Sequence, residues 1–190
     1  MKKILLISGK RKCGKDFISE RLQRRLSDRS LIVRISEPIK REWARKLQLD
    51  MGAMLSDGPY KEQYRRDMII WSDEVRQRDY GFFCRAAMEA SAVQQADYVI
   101  VSDIRRKNDI KWFRENYGQD MVKTLRLTST EQRRKARGWQ FTAGVDDVPS
   151  ECDLDDSSFD YVFANDEDGD GNAQDEKQLI DRLLALLQLS

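Results

Sequence analysis

The stretch ILLISGKRKCGKDF, residues 4–17, constrains the fold of this chain more than any other. The apolar run KILLIS (3–8) reads as a buried strand, and it runs directly into a glycine loop. Beyond the loop Ile18, Leu22 and Leu26 fall four apart, one apolar face of a helix starting near Lys15. Strand, loop and helix in that order are the setting in which G-x-x-x-x-G-K works as a phosphate-binding P-loop. Gly9 permits the sharp turn, and Gly14 lets the backbone approach phosphate oxygens closely. The loop amides and the start of the helix then form a nest for anions. Lys15 is expected to reach the β- and γ-phosphates of ATP, with Lys10, Arg11 and Lys12 adding positive charge to the loop. A basic surface turn is the plainer alternative, and the flanking strand and helix weigh against it.

The motif departs from its usual form at one position. Asp16 stands where a Ser or Thr hydroxyl normally helps to hold Mg²⁺. A carboxylate in the first turn is favoured by the helix dipole and can cap free amides. It is also a hard oxygen donor, suited to Mg²⁺ directly or through water. The charge of Lys10, Arg11 and Lys12 offsets the extra anion beside the phosphates.

Strands and helices alternate along the rest of the chain. Strands are predicted at LIVRIS (31–36), YVIVSD (98–103), MVKTLRL (121–127) and FDYVFAN (159–165). Helical patterns run from Pro38, over 61–78, 81–90, 110–116 and 130–137, and through KQLIDRLLALLQL (177–189). Tyr64, Met68, Trp71 and Val75 would line the buried face of the long charged helix. Alternation of this kind implies an α/β fold in three layers, a central parallel sheet flanked by helices. The 190 residues suit one domain (1–190), with residues 129–145 as a helical, arginine-rich lid.

Several function classes drop out. The chain contains no histidine, so neither a histidine base nor a histidine metal ligand is available. Its three cysteines, Cys13, Cys84 and Cys152, lack metal-ligand spacing and fit a reducing compartment. No apolar run approaches the ~20 residues that cross a bilayer, so no membrane partner is expected. Net charge is +1, yet no Lys or Arg occurs between Gly138 and Glu176, where Asp and Glu recur. That stretch reads either as a solvated acidic loop or as the sign that the preceding basic residues face one anionic site.

Two further constellations carry chemistry. YVIVSDIRR ends an apolar strand in Asp103, the form of a strand whose carboxylate meets Mg²⁺, and Arg105 and Arg106 follow at once. The carboxyl ends of strands are where open α/β sheets bind ligands, and guanidinium forks match phosphate and carboxylate oxygens. In EQRRKARGWQFT (131–142), Arg134 and Arg137 lie three apart on one helix face, as arginines that close over ATP would. A nucleic-acid-binding helix is the rival, and the acidic segment that follows would repel a polyanion. Arg76, Arg85 and Arg126 read individually as solvated surface charges.

These residues resemble one family, the animal-type phosphomevalonate kinases. The likeness rests on SGKRKCGKDF, YKEQYRRDMIIWSDEVRQ, GFFCR, VSDIRR, DIKWFRENYG, and RGWQFTAGVDD followed by SEC and LD. A P-loop ending in Lys-Asp is a habit of that family. The resemblance implies ATP-dependent phosphorylation of (R)-5-phosphomevalonate in the mevalonate route to isoprenoids and sterols, on a fold like that of nucleoside monophosphate kinases. It makes Lys10, Arg11, Lys12, Cys13, Gly14, Lys15 and Asp16 the ATP loop, and Lys15, Arg11, Arg106 and Arg134 the catalytic cations. Arg137 would also touch ATP. Arg11, Arg105 and Arg106 would hold the substrate phosphate, with Arg76, Arg85 and Arg126 as further substrate contacts and Asn165 at the substrate or the nucleotide. Asp16 and Asp103 would serve Mg²⁺, directly or through water. The rival acceptor is a nucleoside monophosphate, and the rival class is a silent P-loop scaffold or an RNA-binding module. The acidic segment DEDGDGNAQDE (166–176) departs from the family pattern. A monomer is expected, with ATP and phosphomevalonate as partners, no nucleic acid, and a cytosolic location because LQLS is not a peroxisomal tripeptide.

Overall fold

A computed structural model of the chain describes residues 3–26, 28–56, 59–89, 91–166 and 173–188; of the acidic segment, residues 167–172 lie outside them. The chain begins with β1 (Lys3–Ser8), α1 (Lys15–Arg25), β2 (Ser30–Val33) and α2 (Ser36–Leu47). Then come α3 (Met51–Leu55), α4 (Pro59–Arg78), α5 (Phe82–Met88), α6 (Ser91–Gln95), β3 (Tyr98–Ile104) and α7 (Lys107–Tyr117). It ends with β4 (Val122–Thr128), α8 (Glu131–Ala136), α9 (Pro149–Cys152), β5 (Tyr161–Ala164) and α10 (Ala173–Gln188).

The five strands form one sheet in the order β2-β3-β1-β4-β5, with every neighbouring pair parallel. Side chains alternate across a strand, so β1 sends Ile4 and Leu6 to one face and Leu5 and Ile7 to the other. The first pair joins a core containing Phe83, Cys84, Ile110 and Phe113, from α5 and α7. The second joins Ile18 and Leu22 of α1 and Leu179, Ile180, Leu183 and Leu187 of α10. A sheet covered on both faces explains why its central strands read as unbroken apolar runs. Trp71 and Val75 of α4 pack on the first core, while Tyr64 and Met68 pack on a small cluster of Trp43, Ala44 and Met54.

The boundaries differ from expectation at one instructive place. The pattern of LIVRIS predicts a strand to residue 36, but β2 ends at Val33 and α2 begins at Ser36. The Asp103 carboxylate accepts from the Ile35 amide at 2.7 Å and the Ser36 amide at 2.9 Å, so the chain turns into a helix there. Pro38 then falls in the first turn of α2, where a missing amide hydrogen is harmless. The short helices α3, α6 and α9 carried no periodic signal long enough to predict. Among the described residues, no helix is long and apolar enough to cross a membrane.

Because all strands run parallel, every β-to-α loop leaves from the same edge of the sheet. That edge gathers the glycine loop after β1, Arg105 and Arg106 after β3, Ser129 and Thr130 after β4, and Asn165 after β5.

Candidate active site

The glycine loop is built as its sequence requires. Gly9, Gly14 and Lys12 adopt positive φ, and Gly14 stands at the start of α1. Lys15 is buried, and its Nζ donates to the carbonyls of Gly9 at 2.6 Å and Lys10 at 3.0 Å. Burial, reinforced by nearby Arg105, holds its pKa below the usual lysine value, with Cys13, Asp16 and Asp103 opposing the shift. Cys13 is buried beneath the loop. Asn165 donates from Nδ2 to the Cys13 carbonyl at 2.9 Å, tying the end of β5 to the loop.

Asp16 lies in the first turn of α1, where its charge suits the helix dipole. Its side chain is 75% exposed and pairs with Arg34 at 3.3 Å. Asp103 is spent on the α2 amides, although a carboxylate has lone pairs beyond the two used there. Among the described residues, no cluster of three or more acidic or cysteine side chains could hold a metal by itself. Mg²⁺ in phosphoryl-transfer sites is held by one or two carboxylates together with substrate phosphates and waters. The exposed carboxylate of Asp16 and the lone pairs left on Asp103 are hard oxygen donors of the kind Mg²⁺ takes.

Carboxylates meet most of the arginines. Arg11 Nη1 donates to Asp146 at 2.9 Å, and its amide donates to Glu151 at 3.2 Å. Arg105 pairs with Glu151 and also donates to the Ser150 carbonyl at 3.4 Å. Burial lowers the Arg105 pKa, with Asp103 as the main opposing charge. Arg106 pairs with Asp73. Arg126 donates to Ser8 at 2.9 Å and to Asp155 at 2.6 Å, and Asp155 also binds Lys10 at 2.7 Å. Arg76 lies 3.5 Å from Asp109 and stacks on Phe83 at 5.0 Å. Three buried guanidinium nitrogens, Arg106 Nη1, Arg76 Nε and Arg114 Nε, find no hydrogen-bond partner among the described residues.

The arginine-rich segment sits over the loop. Arg134 Nε donates to the Arg11 carbonyl at 2.8 Å, and its guanidinium stacks on Trp139 at 3.9 Å. Burial lowers the Arg134 pKa, opposed chiefly by Asp146. Arg137 donates to Ser129 Oγ at 3.2 Å and to the Asn165 carbonyl at 3.0 Å. Thr130 caps α8 at the Arg133 amide, 3.4 Å away, and donates its own amide to Asp166 at 2.6 Å.

The structure thus brings Arg11, Lys15, Arg105, Arg126, Arg134 and Arg137 around one loop. Arg76 and Arg126, read from sequence as solvated, are largely withdrawn from solvent, whereas Arg85 is exposed and pairs with Asp79. Sequence reasoning did not single out Asp146, Glu151 and Asp155, the acids that hold these cations. The signal available was the run of acidic residues without Lys or Arg after Gly138.

Comparison with known proteins decides the family. A family model described as phosphomevalonate kinase matches residues 7–119, and a phosphomevalonate kinase of Drosophila melanogaster is 71% identical over 186 residues. The chain belongs to the phosphomevalonate kinase family. That relationship spans 96% of this chain and 97% of the Drosophila protein. Solved structures agree on the fold at far lower identity. A Thermus thermophilus protein, TT1252, superposes with a TM-score of 0.55 at 16% identity, covering 99% of this chain and 98% of its own. An unliganded sugar kinase from Janibacter sp. gives 0.50 at 15% identity, covering 100% and 96%. Membership of the phosphomevalonate kinase family makes the chain an ATP-dependent phosphotransferase on a three-layer P-loop kinase fold.

Proposed function

We propose that this chain transfers the γ-phosphate of ATP to the phosphate of (R)-5-phosphomevalonate, giving (R)-5-diphosphomevalonate and ADP. The observation that carries the reading is 71% identity to the Drosophila phosphomevalonate kinase along nearly the whole of both chains.

The residues suit that chemistry. A phosphate acceptor has its second pKa near ~6 and is largely dianionic at neutral pH, so it needs no general base. A chain without histidine loses nothing by that. The demand is neutralisation, because an anion must approach ATP in line while charge spreads over the transferred group. Lys15 and the loop amides hold the ATP phosphates, with Lys10, Arg11, Lys12, Cys13, Gly14 and Asp16 completing the loop. Lys15 leaves the carbonyls it now binds for the β- and γ-oxygens. Arg11, Arg105 and Arg106 take the acceptor phosphate, and Arg106 Nη1, buried without a partner among the described residues, has a donor to spare for it. Arg76, Arg126 and Asn165 extend the anion site towards the substrate carboxylate, with Arg85 at its exposed margin. Arg134 stabilises the transferring group, and Arg137 reaches ATP. Asp16 and Asp103 would hold Mg²⁺, directly or through water, and the ion would supply positive charge to offset that of the phosphates. The protein acts as a cytosolic monomer.

The test is ADP release by the purified chain with Mg-ATP, offered phosphomevalonate and nucleoside monophosphates in parallel. Turnover with phosphomevalonate alone is expected. Turnover with a nucleotide instead would overturn the acceptor, and silence with all of them would remove the activity.

A further inference from the structure

Asp146 lies behind the proposed cations rather than among them, and no part of the reaction above uses it. Its side chain is almost wholly buried, yet it receives three hydrogen bonds from three places in the chain. Oδ2 accepts from Arg11 Nη1 at 2.9 Å and from the Thr142 amide at 2.9 Å. Oδ1 accepts from the Trp139 indole at 3.0 Å. The Trp139 ring is the platform under the Arg134 guanidinium, 3.9 Å away, and Arg134 Nε returns to the Arg11 carbonyl at 2.8 Å. Arg11, Asp146, Trp139 and Arg134 therefore close a circuit that joins the glycine loop to the arginine-rich segment.

We propose that Asp146 is a positioning residue for phosphoryl transfer, fixing Arg11 directly and Arg134 through Trp139 in one shared geometry. The inference rests on the reading that Arg11 and Arg134 meet the phosphates. Two guanidiniums held close to one another repel, and an unbound guanidinium samples many rotamers. Charges that stabilise a transition state work best when they need no rearrangement as the reaction proceeds. A buried carboxylate between them supplies compensating charge and, through charge-assisted bonds, a fixed direction. The Trp139 indole carries that direction to Arg134 by holding the ring face in place for stacking.

Asparagine at this position keeps the size but not the function. One oxygen cannot accept from all three donors, and the amide hydrogens would face either Arg11 and Thr142 or Trp139. Asp146→Asn is expected to lower kcat by roughly 10- to 100-fold, the scale of a small misplacement of reacting groups, with a smaller rise in KM for the acceptor whose phosphate Arg11 meets. Because Asp146 acts through Arg11 and Arg134, losses should not multiply. Arg11→Gln with Asp146→Asn is expected to be slower than Arg11→Gln alone only by the part carried through Trp139 and Arg134, well short of the product of the two single losses. Trp139→Phe, which retains a ring but removes the indole donor, is expected to lower kcat in the same direction.

The experiment is steady-state kinetics with Mg-ATP and phosphomevalonate on these variants of the full chain, with thermal melting as the check on folding. Asp146→Asn at parental kcat beside an impaired Arg11→Gln would overturn the inference and leave the site reading standing. Losses that multiply in the double variant would overturn it as well. Arg11→Gln at parental kcat would instead remove the site reading itself. Should Asp146→Asn fail to fold, Trp139→Phe decides, and a parental kcat there sinks the proposal.

Discussion

Asn165 and Gly14 are matched across the mouth of the glycine loop: the Asn165 Nδ2 stands 2.3 Å from where a Cβ on Gly14 would lie. The same amide donates to the Cys13 carbonyl at 2.9 Å, and Gly14 has φ 96°, a conformation strained for other residues. Gly14→Ala is therefore expected to open the loop and abolish measurable ATP binding by calorimetry. Asn165→Ala removes one hydrogen bond and should reduce stability by about 1 kcal/mol, with a several-fold rise in KM for ATP. An unchanged KM for ATP in Asn165→Ala would show that its bond to the Cys13 carbonyl does not shape the nucleotide loop.

Lys15→Met is expected to abolish turnover without unfolding the protein. Burial holds the Lys15 pKa below the ordinary 10.5. The folded state thus penalises the charged form fully at every pH below that lowered value. Stability recovers only as pH rises from the lowered value towards the unfolded one. Below the lowered value the substitution removes a penalised charge, so the ligand-free melting temperature should stay level or rise there. Near-normal turnover would take Lys15 out of the mechanism.

The pH profile should have an acid limb set by substrate and an alkaline limb set by the protein. No histidine titrates in the chain, so kcat/KM is expected to fall below pH ~6 as the acceptor phosphate takes its second proton. Lys15 must be protonated to hold phosphate, and burial lowers its pKa, so activity is expected to be lost as pH rises through that lowered value. Rates measured at saturating ATP should lose activity at higher pH than kcat/KM for ATP, because bound phosphates favour the charged lysine. Coincident alkaline limbs would contradict this assignment.

Arg106→Ala should raise KM for phosphomevalonate at least tenfold, about 1.4 kcal/mol of binding, with a smaller effect on KM for ATP. Arg137→Ala should show the reverse ratio, since Arg137 bonds Ser129 and Asn165 beside the nucleotide loop. Finding the two patterns exchanged would mean that donor and acceptor sides are inverted.

Gly81→Ala tests packing rather than chemistry. Its φ is −92°, ordinary for any residue, but a Cβ would lie 2.1 Å from Trp112 Cδ1. Trp112 is buried in the core shared by α5 and α7, so the ring has little room to move. A loss of roughly 1–3 kcal/mol in denaturant unfolding is expected, the range for an overpacked core. A neutral result would show that the α4–α5 connection yields easily.

Much of this protein is written in local sequence. The glycine spacing, the apolar runs of the central strands and the four-residue periodicity of α1 are near-neighbour properties, governed by backbone sterics and side-chain alternation. They were sufficient to anticipate a parallel α/β sheet with a phosphate loop at its edge, and long family-specific motifs named the chemistry. Long-range approach decided the rest. Whether an arginine is buried or exposed depends on which element comes to cover it. Arg76 and Arg126 are enclosed and Arg85 is not, although all three look alike in the sequence. The end of β2 was set by Asp103, 68 residues from the Ile35 amide it accepts from. Asp146 meets Arg11 across 135 residues of chain, and no local pattern encodes a pairing that exists only once the sheet has brought β1 and the segment after α8 to the same edge.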